Sequence, residues 1–408
     1  MEIRPILSTL MRHKVAAALI VLEIALSCAI VCNALFLIAE RIDRMHKPSG
    51  VAENELVRIQ AASLRQLSGD DDINKSVSLE YLDTLRKVPG VTQATLANQI
   101  PFGGSSNNSS VNLTPNQQQS TLNAAIYMDG GGLLKTFGLR LVSGRDFTAD
   151  EYQDLAVLQK AGDKAHIPAA IINRAMAEKM FPGENAVGKV FYSFTDTPIR
   201  VVGMVEELAR PNSFDLGQYT MIFPLRNFQA GQNYILRTEP GRRAEVLKAA
   251  VDALKRTDPN LLVVNQDTLG EIRANYFEND RAMAWMLVVV IVALLLVTAL
   301  GIVGLASFWV QQRTKQIGIR RALGATRAQI LRYFQTENFL LASAGITLGM
   351  LLAYAINQLL MAKYELPRLP LYYLPIGAGV LWLLGQIAVY GPARRAALVP
   401  PAIATRTA

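Results

Sequence analysis

The amino-acid sequence predicts an α-helical membrane protein with four transmembrane helices and a large α+β extracytoplasmic domain inserted between helices 1 and 2. Three observations support this fold class. Of the 408 residues, 51% are hydrophobic, and they concentrate in four long runs. Basic residues cluster beside these runs, and the long segment between the first two runs alternates strand-like and helix-like patterns.

The four apolar runs are each long enough to cross a membrane, which requires about 20 mostly apolar residues in a helix. We therefore predict spanning helices at residues 15–39, 282–310, 338–362 and 371–391. The first run is longer than the apolar core of a signal peptide, and no small-x-small cleavage pattern follows it. We expect it to be retained as the first helix.

The distribution of charge predicts the orientation of the helices. The net charge is +8, yet residues 40–281 hold 27 basic and 29 acidic side chains, whereas the rest of the chain holds 14 and 4. Twelve of those 14 cations lie in residues 1–14, 311–337 and 392–408. Because cytoplasmic loops are enriched in Lys and Arg, we predict that both termini lie in the cytoplasm. Residues 40–281 would lie on the outer side of the membrane, and residues 363–370 would form a short external loop.

The basic excess predicts contact with membrane lipids and requires no nucleic acid, because topology and the anionic inner leaflet explain it.

The inserted segment contains no cysteine. Cys28 and Cys32 both lie in the first apolar run, where we expect them to pack. Disulfides therefore do not hold the inserted domain together.

The first and last parts of the insert each show a strand, a helix and a strand, which predicts a small mixed sheet with helices on one side. We expect the first of these helices to begin at Ser78 and an exposed, mobile loop at residues 103–120. A last helix from about Thr268 is expected to continue unbroken into the second span, as a stiff lever.

One part of the insert imitates a nucleotide-binding loop. The sequence "GENAVGKV" (residues 183–190) has the Gly-x4-Gly-Lys spacing, but Val190 stands where the loop needs a hydroxyl for magnesium, and the segment follows a predicted helix. The three histidines are isolated, and the common catalytic motifs do not occur. We therefore predict that this chain has no catalytic, cofactor or metal site and is not an enzyme.

Two features inside the apolar runs are candidates for function or packing. A carboxylate in a membrane span is costly, so Glu23 is an intramembrane candidate for a functional group with an interior partner. The alternative is a position near the inner interface, or a protonated carboxyl bonded to a neighbouring helix. Gly345 and Gly349 form a Gly-x-x-x-Gly pair, which predicts close helix packing.

The basic segment "QQRTKQIGIRRALGATRAQILRYF" (residues 311–334) holds six cations and no acid. It must turn back in the cytoplasm, because each cation costs about 2.5–3.5 kcal/mol in a membrane. "KQIGIRRAL" predicts a short amphipathic helix that ends at Gly324. Thr326 and Gln329 predict a capping box for the helix that becomes the third span. These residues alone are equally consistent with a helix that serves only topology and lipid contact.

Several stretches nevertheless resemble a known family. "QIGIRRALGATRAQI" is similar to the loop before the third span of FtsX-like ABC transporter permeases. "LLKTFGLRLVSGRDFT", "AAIINRAMAEKMFPGENAVGKVF" and "IRVVGMVEEL" resemble the extracytoplasmic domain of the MacB (macrolide exporter) type. The resemblance implies a coupling helix that docks into a groove of a cytoplasmic ATPase. The implied coupling residues are Ile317, Gly318, Arg320, Arg321, Ala322, Leu323, Gly324 and Thr326.

The resemblance also implies the partners. ATP and magnesium would be bound by a separate cytoplasmic ABC ATPase dimer, because only residues 1–14 precede the first predicted span. A second permease, identical or homologous, would complete the complex in the bacterial inner membrane, and a periplasmic adaptor with an outer-membrane channel is compatible with the resemblance. The implied function is export of peptides, drugs or lipids by mechanotransmission to the periplasmic domain. FtsX-like regulation of a partner such as a cell-wall hydrolase, or lipoprotein release, are the alternatives.

Overall fold

The computed structural model describes residues 14–105, 107–162, 165–212, 218–364 and 368–400. Most of the predicted N-terminal segment, the end of the cytoplasmic tail and residues 365–367 of the external loop lie outside the described residues. The chain divides into two compact units. One unit comprises Met1–His46 and Asn279–Ala408, and we call it the membrane unit. The other comprises Lys47–Glu278, and we call it the periplasmic unit after the location that we predict for it.

The described helices and strands are numbered in chain order. The helices are α1 (Lys14–His46), α2 (Asp71–Arg86), α3 (Leu133–Phe137), α4 (Leu155–Ala161), α5 (Arg174–Met180), α6 (Arg243–Thr257), α7 (Leu269–Tyr276), α8 (Glu278–Gln312), α9 (Thr314–Ala322), α10 (Arg327–Tyr364) and α11 (Tyr373–Ala397). The strands are β1 (Leu56–Ser63), β2 (Val91–Ala97), β3 (Asn108–Val111), β4 (Leu122–Met128), β5 (Leu141–Gly144), β6 (Gln153–Asp154), β7 (Ala169–Asn173), β8 (Val190–Ser193), β9 (Thr195–Val205), β10 (Thr220–Phe223), β11 (Leu225–Arg226), β12 (Gln232–Thr238) and β13 (Leu261–Thr268).

Four helices of the membrane unit, α1, α8, α10 and α11, are long and apolar enough to cross a membrane. The α+β periplasmic unit follows the first of them and precedes the second, which confirms the predicted fold class. Helix α1 is central to the packing: Ile24, Cys28 and Cys32 are buried in one core with Ile346 of α10 and Ala378 of α11. The two cysteines are buried free thiols.

The first sheet of the periplasmic unit has four strands in the order β13-β1-β12-β2. All its pairings are antiparallel, which corrects the expectation of a mixed sheet. Strands from the first and last parts of the insert alternate across it, so neither part forms a sheet by itself. Helices α2 and α6 pack on the same face through an apolar core that includes Tyr81, Leu85 and Leu254.

The second sheet is the mixed one. Its strands follow the order β3-β4-β10-β7-β9-β5, and β8 pairs with β9 outside this path. Strand β10 is parallel to β4, and β7 is parallel to β9, whereas the other pairs are antiparallel. Helix α5 packs Met176 and Met180 into the apolar core of this sheet.

Two local expectations about this unit were wrong. Helix α2 begins at Asp71, not at Ser78, because the Asp70 carboxylate accepts hydrogen bonds from the N–H groups of Asp72 (2.8 Å) and Ile73 (3.1 Å). Ser78 lies inside the helix, where its hydroxyl donates to the carbonyl of Phe228. The segment expected to be a mobile loop contains β3, which pairs with β4.

The helix from Thr268 is also interrupted. Thr268 caps α7 in a capping box with Glu271, but α7 ends at Tyr276. Phe277 has φ −95° and ψ 13°, outside the helical region, and α8 begins at Glu278. The side chain of Phe277 is buried with its ring 5.6 Å from that of Phe102. The expected unbroken lever is therefore wrong, since the chain leaves helical geometry at this buried aromatic residue.

Candidate functional site

The basic segment forms a short helix between two spanning helices. Helix α9 ends at Ala322, and Gly324 follows with φ +99°, a conformation that favours glycine. The Ala325 N–H donates to the Arg320 carbonyl, 3.0 Å away, which closes the helix end. At the start of α10, the Thr326 N–H donates to the Gln329 side chain (2.8 Å), and the Gln329 N–H donates to the Thr326 hydroxyl (3.2 Å). The predicted stop and capping box are both present.

The apolar residues of α9 do not share one face. Ile317 is 5% exposed and packs with Ile330 and Phe334 of α10 and with Ala396 of α11. Gly318 beside it is also buried. Leu323, in contrast, is 83% exposed. Of the two residues that we expect to dock, only Leu323 is therefore exposed, whereas Ile317 holds α9 against its own chain.

The exposed apolar partner of Leu323 is Ile319, which the sequence reasoning missed. Ile319 is 46% exposed and lies four positions before Leu323. Residues four apart are neighbours on a helix surface, so this spacing was the signal that could have identified the pair. We call the exposed residues Ile319, Arg320, Ala322, Leu323, Gly324 and Thr326 the α9 face; all of them except Ile319 are predicted coupling residues.

The two adjacent arginines of α9 have different roles. Arg321 donates through Nη1 to the carbonyl oxygens of Ala397 (3.0 Å) and Val399 (2.8 Å), at the end of α11. A cation at a helix C-terminus stabilises carbonyls that lack helical partners. Arg320 is exposed, and its guanidinium lies 5.1 Å from the centre of the Tyr333 ring. Only Arg320 of this pair belongs to the α9 face.

A buried ion pair fixes the start of α9, and the sequence reasoning did not find it. Arg313 Nη1 donates to both carboxylate oxygens of Glu337, at 3.0 and 2.8 Å. The two side chains are 8% and 2% exposed. Glu337 is the single acid in residues 311–337, which is the signal that could have identified it. The pair joins the connection between α8 and α9 to the third spanning helix.

Within the membrane unit, Glu23 lies against helix α8. A Cβ atom added to Gly301 would be 2.6 and 2.7 Å from the two carboxylate oxygens, so the missing side chain makes room for the carboxyl group. One turn along α1, the Ser27 and Thr298 hydroxyls form a hydrogen bond of 2.8 Å. No hydrogen bond or ion pair from the described part of the chain reaches the Glu23 carboxyl. Among the described residues, the carboxyl group of Glu23 therefore lies against the backbone of Gly301.

Gly345 and Gly349 lie where α10 crosses α1. A Cβ on Gly345 would be 2.8 Å from the Ile24 Cβ, and a Cβ on Gly349 would be 2.5 Å from the Cys28 Cβ and 2.6 Å from the Ala25 carbonyl oxygen. Contacts this short are incompatible with any side chain at Gly349 unless the helices separate. Small residues at helix crossings allow such close backbone approach.

The segment that imitates a nucleotide-binding loop forms a surface turn after α5. The Lys189 ammonium is 2.5 Å from the Glu184 carboxylate, and the Gly188 N–H donates to the Val201 carbonyl. A phosphate-binding loop instead precedes a helix and directs its amides at the phosphates. This geometry offers no phosphate cradle at the Gly-x4-Gly-Lys spacing.

Two buried carboxylates in the periplasmic unit have shifted pKa values in opposite directions. Burial raises the pKa of Asp129 to about 6, although hydrogen bonds from Tyr152 and the N–H groups of Gly131 and Leu133 oppose the shift. Burial acts in the same direction on Asp258. There the hydrogen bonds of its partners prevail and lower the pKa to about 2; they come from Ser63, Tyr81, the Asn260 N–H and Arg65.

Comparison with protein families gives two matches. Residues 17–254 match a model described as the MacB-like periplasmic core domain, and residues 288–401 match one described as the FtsX-like permease C-terminal region. The "Uncharacterized ABC transporter permease YknZ" of Bacillus subtilis is 28% identical over 67% of this chain and 68% of that protein. A "Macrolide export ATP-binding/permease protein MacB" of Chromobacterium violaceum is 24% identical over 69% of this chain and 43% of that protein.

The MacB protein of Pasteurella multocida is 25% identical over 82% of this chain, and the match spans 50% of that protein. This chain thus spans about half the length of the MacB relatives it matches. Among solved structures, the extracellular domain of YknZ aligns with a TM-score of 0.32 at 18% identity, covering 51% of this chain and 100% of that one. The periplasmic region of MacB from Actinobacillus actinomycetemcomitans aligns at 0.34 and 15%, covering 57% and 97%.

Proposed function

This chain belongs to the family of ABC transporter permeases that have a MacB-like periplasmic core domain and an FtsX-like permease region, and from this premise we propose that it couples a cytoplasmic ABC ATPase to its periplasmic domain. It is a multi-pass protein of the bacterial inner membrane. The ATPase would bind ATP and magnesium, whereas this chain would transmit the resulting movement. The substrate class that we propose is peptides, drugs or lipids exported from the periplasmic side.

The observation that carries this proposal is the α9 face. A leucine that is 83% exposed beside an isoleucine that is 46% exposed is an apolar pair held out from the protein. Interface energy concentrates in a few apolar or aromatic anchors that a partner buries. We infer that Ile319 and Leu323 are the anchors for a groove on the ATPase, with Arg320 at the rim.

The contacts behind the α9 face support a mechanical role. Arg313 with Glu337 at one end, Ile317 in the middle and Arg321 at the other end connect α9 to α10 and α11. Force applied to a helix is transmitted only if its opposite side is fixed, and these contacts fix it. A docked ATPase would thus pull on two spanning helices through α9.

The proposed complex contains two permease chains, identical or homologous, and two ATPase subunits. Positive charge at residues 311–337 supports a cytoplasmic location for α9, where the ATPase is. A periplasmic adaptor and an outer-membrane channel would complete the export route. Isolation of the intact complex in mild detergent would identify the ATPase for the tests that follow.

The test compares Leu323→Asp with Gln311→Asp, which adds the same charge at an exposed position at the end of α8. We expect Leu323→Asp to insert normally but to lose at least about tenfold in ATPase affinity, because a buried anchor costs more than 1.4 kcal/mol when removed. Gln311→Asp should co-purify with the ATPase and stimulate it as the wild type does. If Leu323→Asp also binds and stimulates normally, the α9 face is not the docking surface.

A further inference from the structure

The periplasmic unit contains a cavity that coupling to an ATPase does not use. It has a volume of about 480 Å³ and lies beside the mixed sheet. Apolar side chains form most of its wall, among them Met128, Leu158, Ile199 and Leu225. The volume is within the range of small-molecule sites, which are mostly apolar with a few polar groups.

The described part of the wall supplies no charged side chain to pair with a charged occupant. None of the described residues that line the cavity is charged, and its polar members are amides and hydroxyls such as Gln159, Asn227 and Thr197. Burying an ion against such a wall would cost far more than burying a neutral group, because none of these lining residues supplies an opposite charge. The described wall of the cavity therefore fits an uncharged molecule.

A polar cleft of about 790 Å³ adjoins the cavity. The two spaces share Ser193, Phe194 and Thr197. Amide and hydroxyl groups line the cleft, and Asp196 is the one charged side chain among its described lining residues. Such groups exchange hydrogen bonds with hydroxyls and amides of a ligand. An apolar space and a polar, mostly uncharged space thus meet at Phe194.

Phe194 has a backbone conformation that its side chain disfavours. It is the single residue between β8 and β9, where Ser193 pairs with Thr195, and its φ is +66°. Glycine or asparagine adopts this conformation readily, whereas a bulky residue is an outlier. The ring is nevertheless 60% exposed, with its centre 6.0 Å from that of Phe223. A strained, exposed aromatic residue at the junction of two spaces indicates a ligand contact.

We propose that this cavity binds an uncharged amphiphile, with its apolar body inside the cavity, its hydroxyl or amide groups in the cleft, and Phe194 between them. The site belongs to the periplasmic unit alone, so it does not depend on docking of the ATPase at α9.

The test uses the full chain in lipid nanodiscs, with Cys28 and Cys32 replaced by alanine. A cysteine at Leu158 reports on the cavity, and a cysteine at Val157, which is 64% exposed on the same helix, is the control. The probes are N-phenyl-1-naphthylamine, which is neutral, and 1-anilinonaphthalene-8-sulfonate, which has the same rings with an anionic group. The readout is the rate at which a water-soluble maleimide modifies each cysteine.

We expect the neutral probe to slow modification of Leu158→Cys at least tenfold, in a saturable way, and the sulfonate to slow it less than twofold. Val157→Cys should react equally fast with either probe, which corrects for partition into lipid. Failure of the neutral probe to protect Leu158→Cys would overturn the proposal. Equal protection by both probes would overturn the assignment of an uncharged ligand.

A second variant separates the ligand contact from the turn. Phe194→Gly removes the ring and relieves the backbone at φ +66°. We expect its melting temperature to equal or exceed that of the parent chain, while the concentration of neutral probe needed for half-protection rises at least fivefold. Unchanged protection in Phe194→Gly would show that the ring serves only the turn and would overturn its role as a ligand contact.

Discussion

At the scale of single residues, the crossing of α1 and α10 depends on Gly349. A methyl group there would overlap the Cys28 Cβ and the Ala25 carbonyl oxygen, and neither atom belongs to a flexible side chain end. We predict that Gly349→Ala lowers stability by about 1–3 kcal/mol, the usual cost of overpacking. The measurement is the thermal unfolding midpoint of the detergent-solubilised chain.

The matched control is Gly304→Ala in α8, where an added Cβ would meet no atom within 4 Å. This variant should unfold at or above the wild-type temperature, because alanine favours a helix more than glycine does. If Gly349→Ala and Gly304→Ala unfolded alike, close approach of α1 and α10 at Gly349 would be refuted.

Asp129 predicts a dependence of stability on pH. Its pKa is about 6 in the folded protein, against about 3.9 in an unfolded chain. The folded state therefore holds the proton more tightly, and stability falls as pH rises from about 4 to about 6. A pKa difference of about two units corresponds to at most about 3 kcal/mol in the free energy of unfolding. The Asp129→Asn side chain cannot ionise. We therefore predict that the melting temperature of this variant, relative to that of the wild type, increases as pH rises from about 4 to about 6.

Asp258→Asn is the opposite control. The pKa of Asp258 is lowered to about 2 when folded, so its carboxylate stabilises the protein above about pH 4, and this stability is lost as pH falls toward 2. Asp258→Asn should be less stable than the wild type at neutral pH, and this difference in stability should become smaller in acid.

The prediction for Asp129 has a clear contrary outcome. If the melting temperatures of Asp129→Asn and the wild type changed in parallel from pH 4 to 6, the burial of Asp129 would be contradicted.

At the scale of helices and strands, the Arg313–Glu337 pair decides how firmly α9 is held. Removing one partner leaves the other charge buried and uncompensated, which costs about 3–5 kcal/mol, whereas replacing both with apolar residues is often neutral. We predict that Glu337→Ala is strongly destabilised and that Arg313→Met with Glu337→Leu recovers most of the loss. Unfolding temperatures of the two variants give the comparison.

The double variant also separates stability from coupling. It should fold, yet it should stimulate the ATPase less than the wild type does, because the apolar pair holds the start of α9 without the two directed hydrogen bonds of the ion pair. If the double variant were as unstable as Glu337→Ala, the loss would stem from packing, and an uncompensated charge would not be its cause.

How far these elements could be predicted depended on whether their signals were local. Strand β7 (Ala169–Asn173) is wholly buried and four of its five residues are apolar, and the capping box of Thr326 lies within four residues, so both carry local signals in the sequence. Strand β3 is polar and forms at the sheet edge through pairing with β4, a non-local cause. The ion pair of Arg313 and Glu337 joins residues 24 apart, beyond any helical spacing. The burial of Ile317 likewise depends on α11.

At the scale of the whole molecule, each unit brings together the two ends of the insertion. In the periplasmic unit, β1 and β13 are neighbours, and Val57 pairs with Thr268. In the membrane unit, an ion pair between Arg41 and Asp280 joins the end of α1 to the start of α8. A domain whose ends lie close together can be inserted between two adjacent helices without separating them. The membrane unit can therefore carry an insert of this size between α1 and α8.

The distribution of charge predicts the orientation of the molecule in the membrane. Residues 311–337 are strongly basic and the insert is near neutral, so the insert should be exported and α9 should stay inside. Alkaline phosphatase, which is active only outside the cytoplasm, should be active when fused after Asn108 and inactive after Arg327. A fluorescent protein that matures only in the cytoplasm should give the reverse result at the same two positions. Phosphatase activity after Arg327 would place α9 on the side without ATP, and coupling through the α9 face would then be impossible.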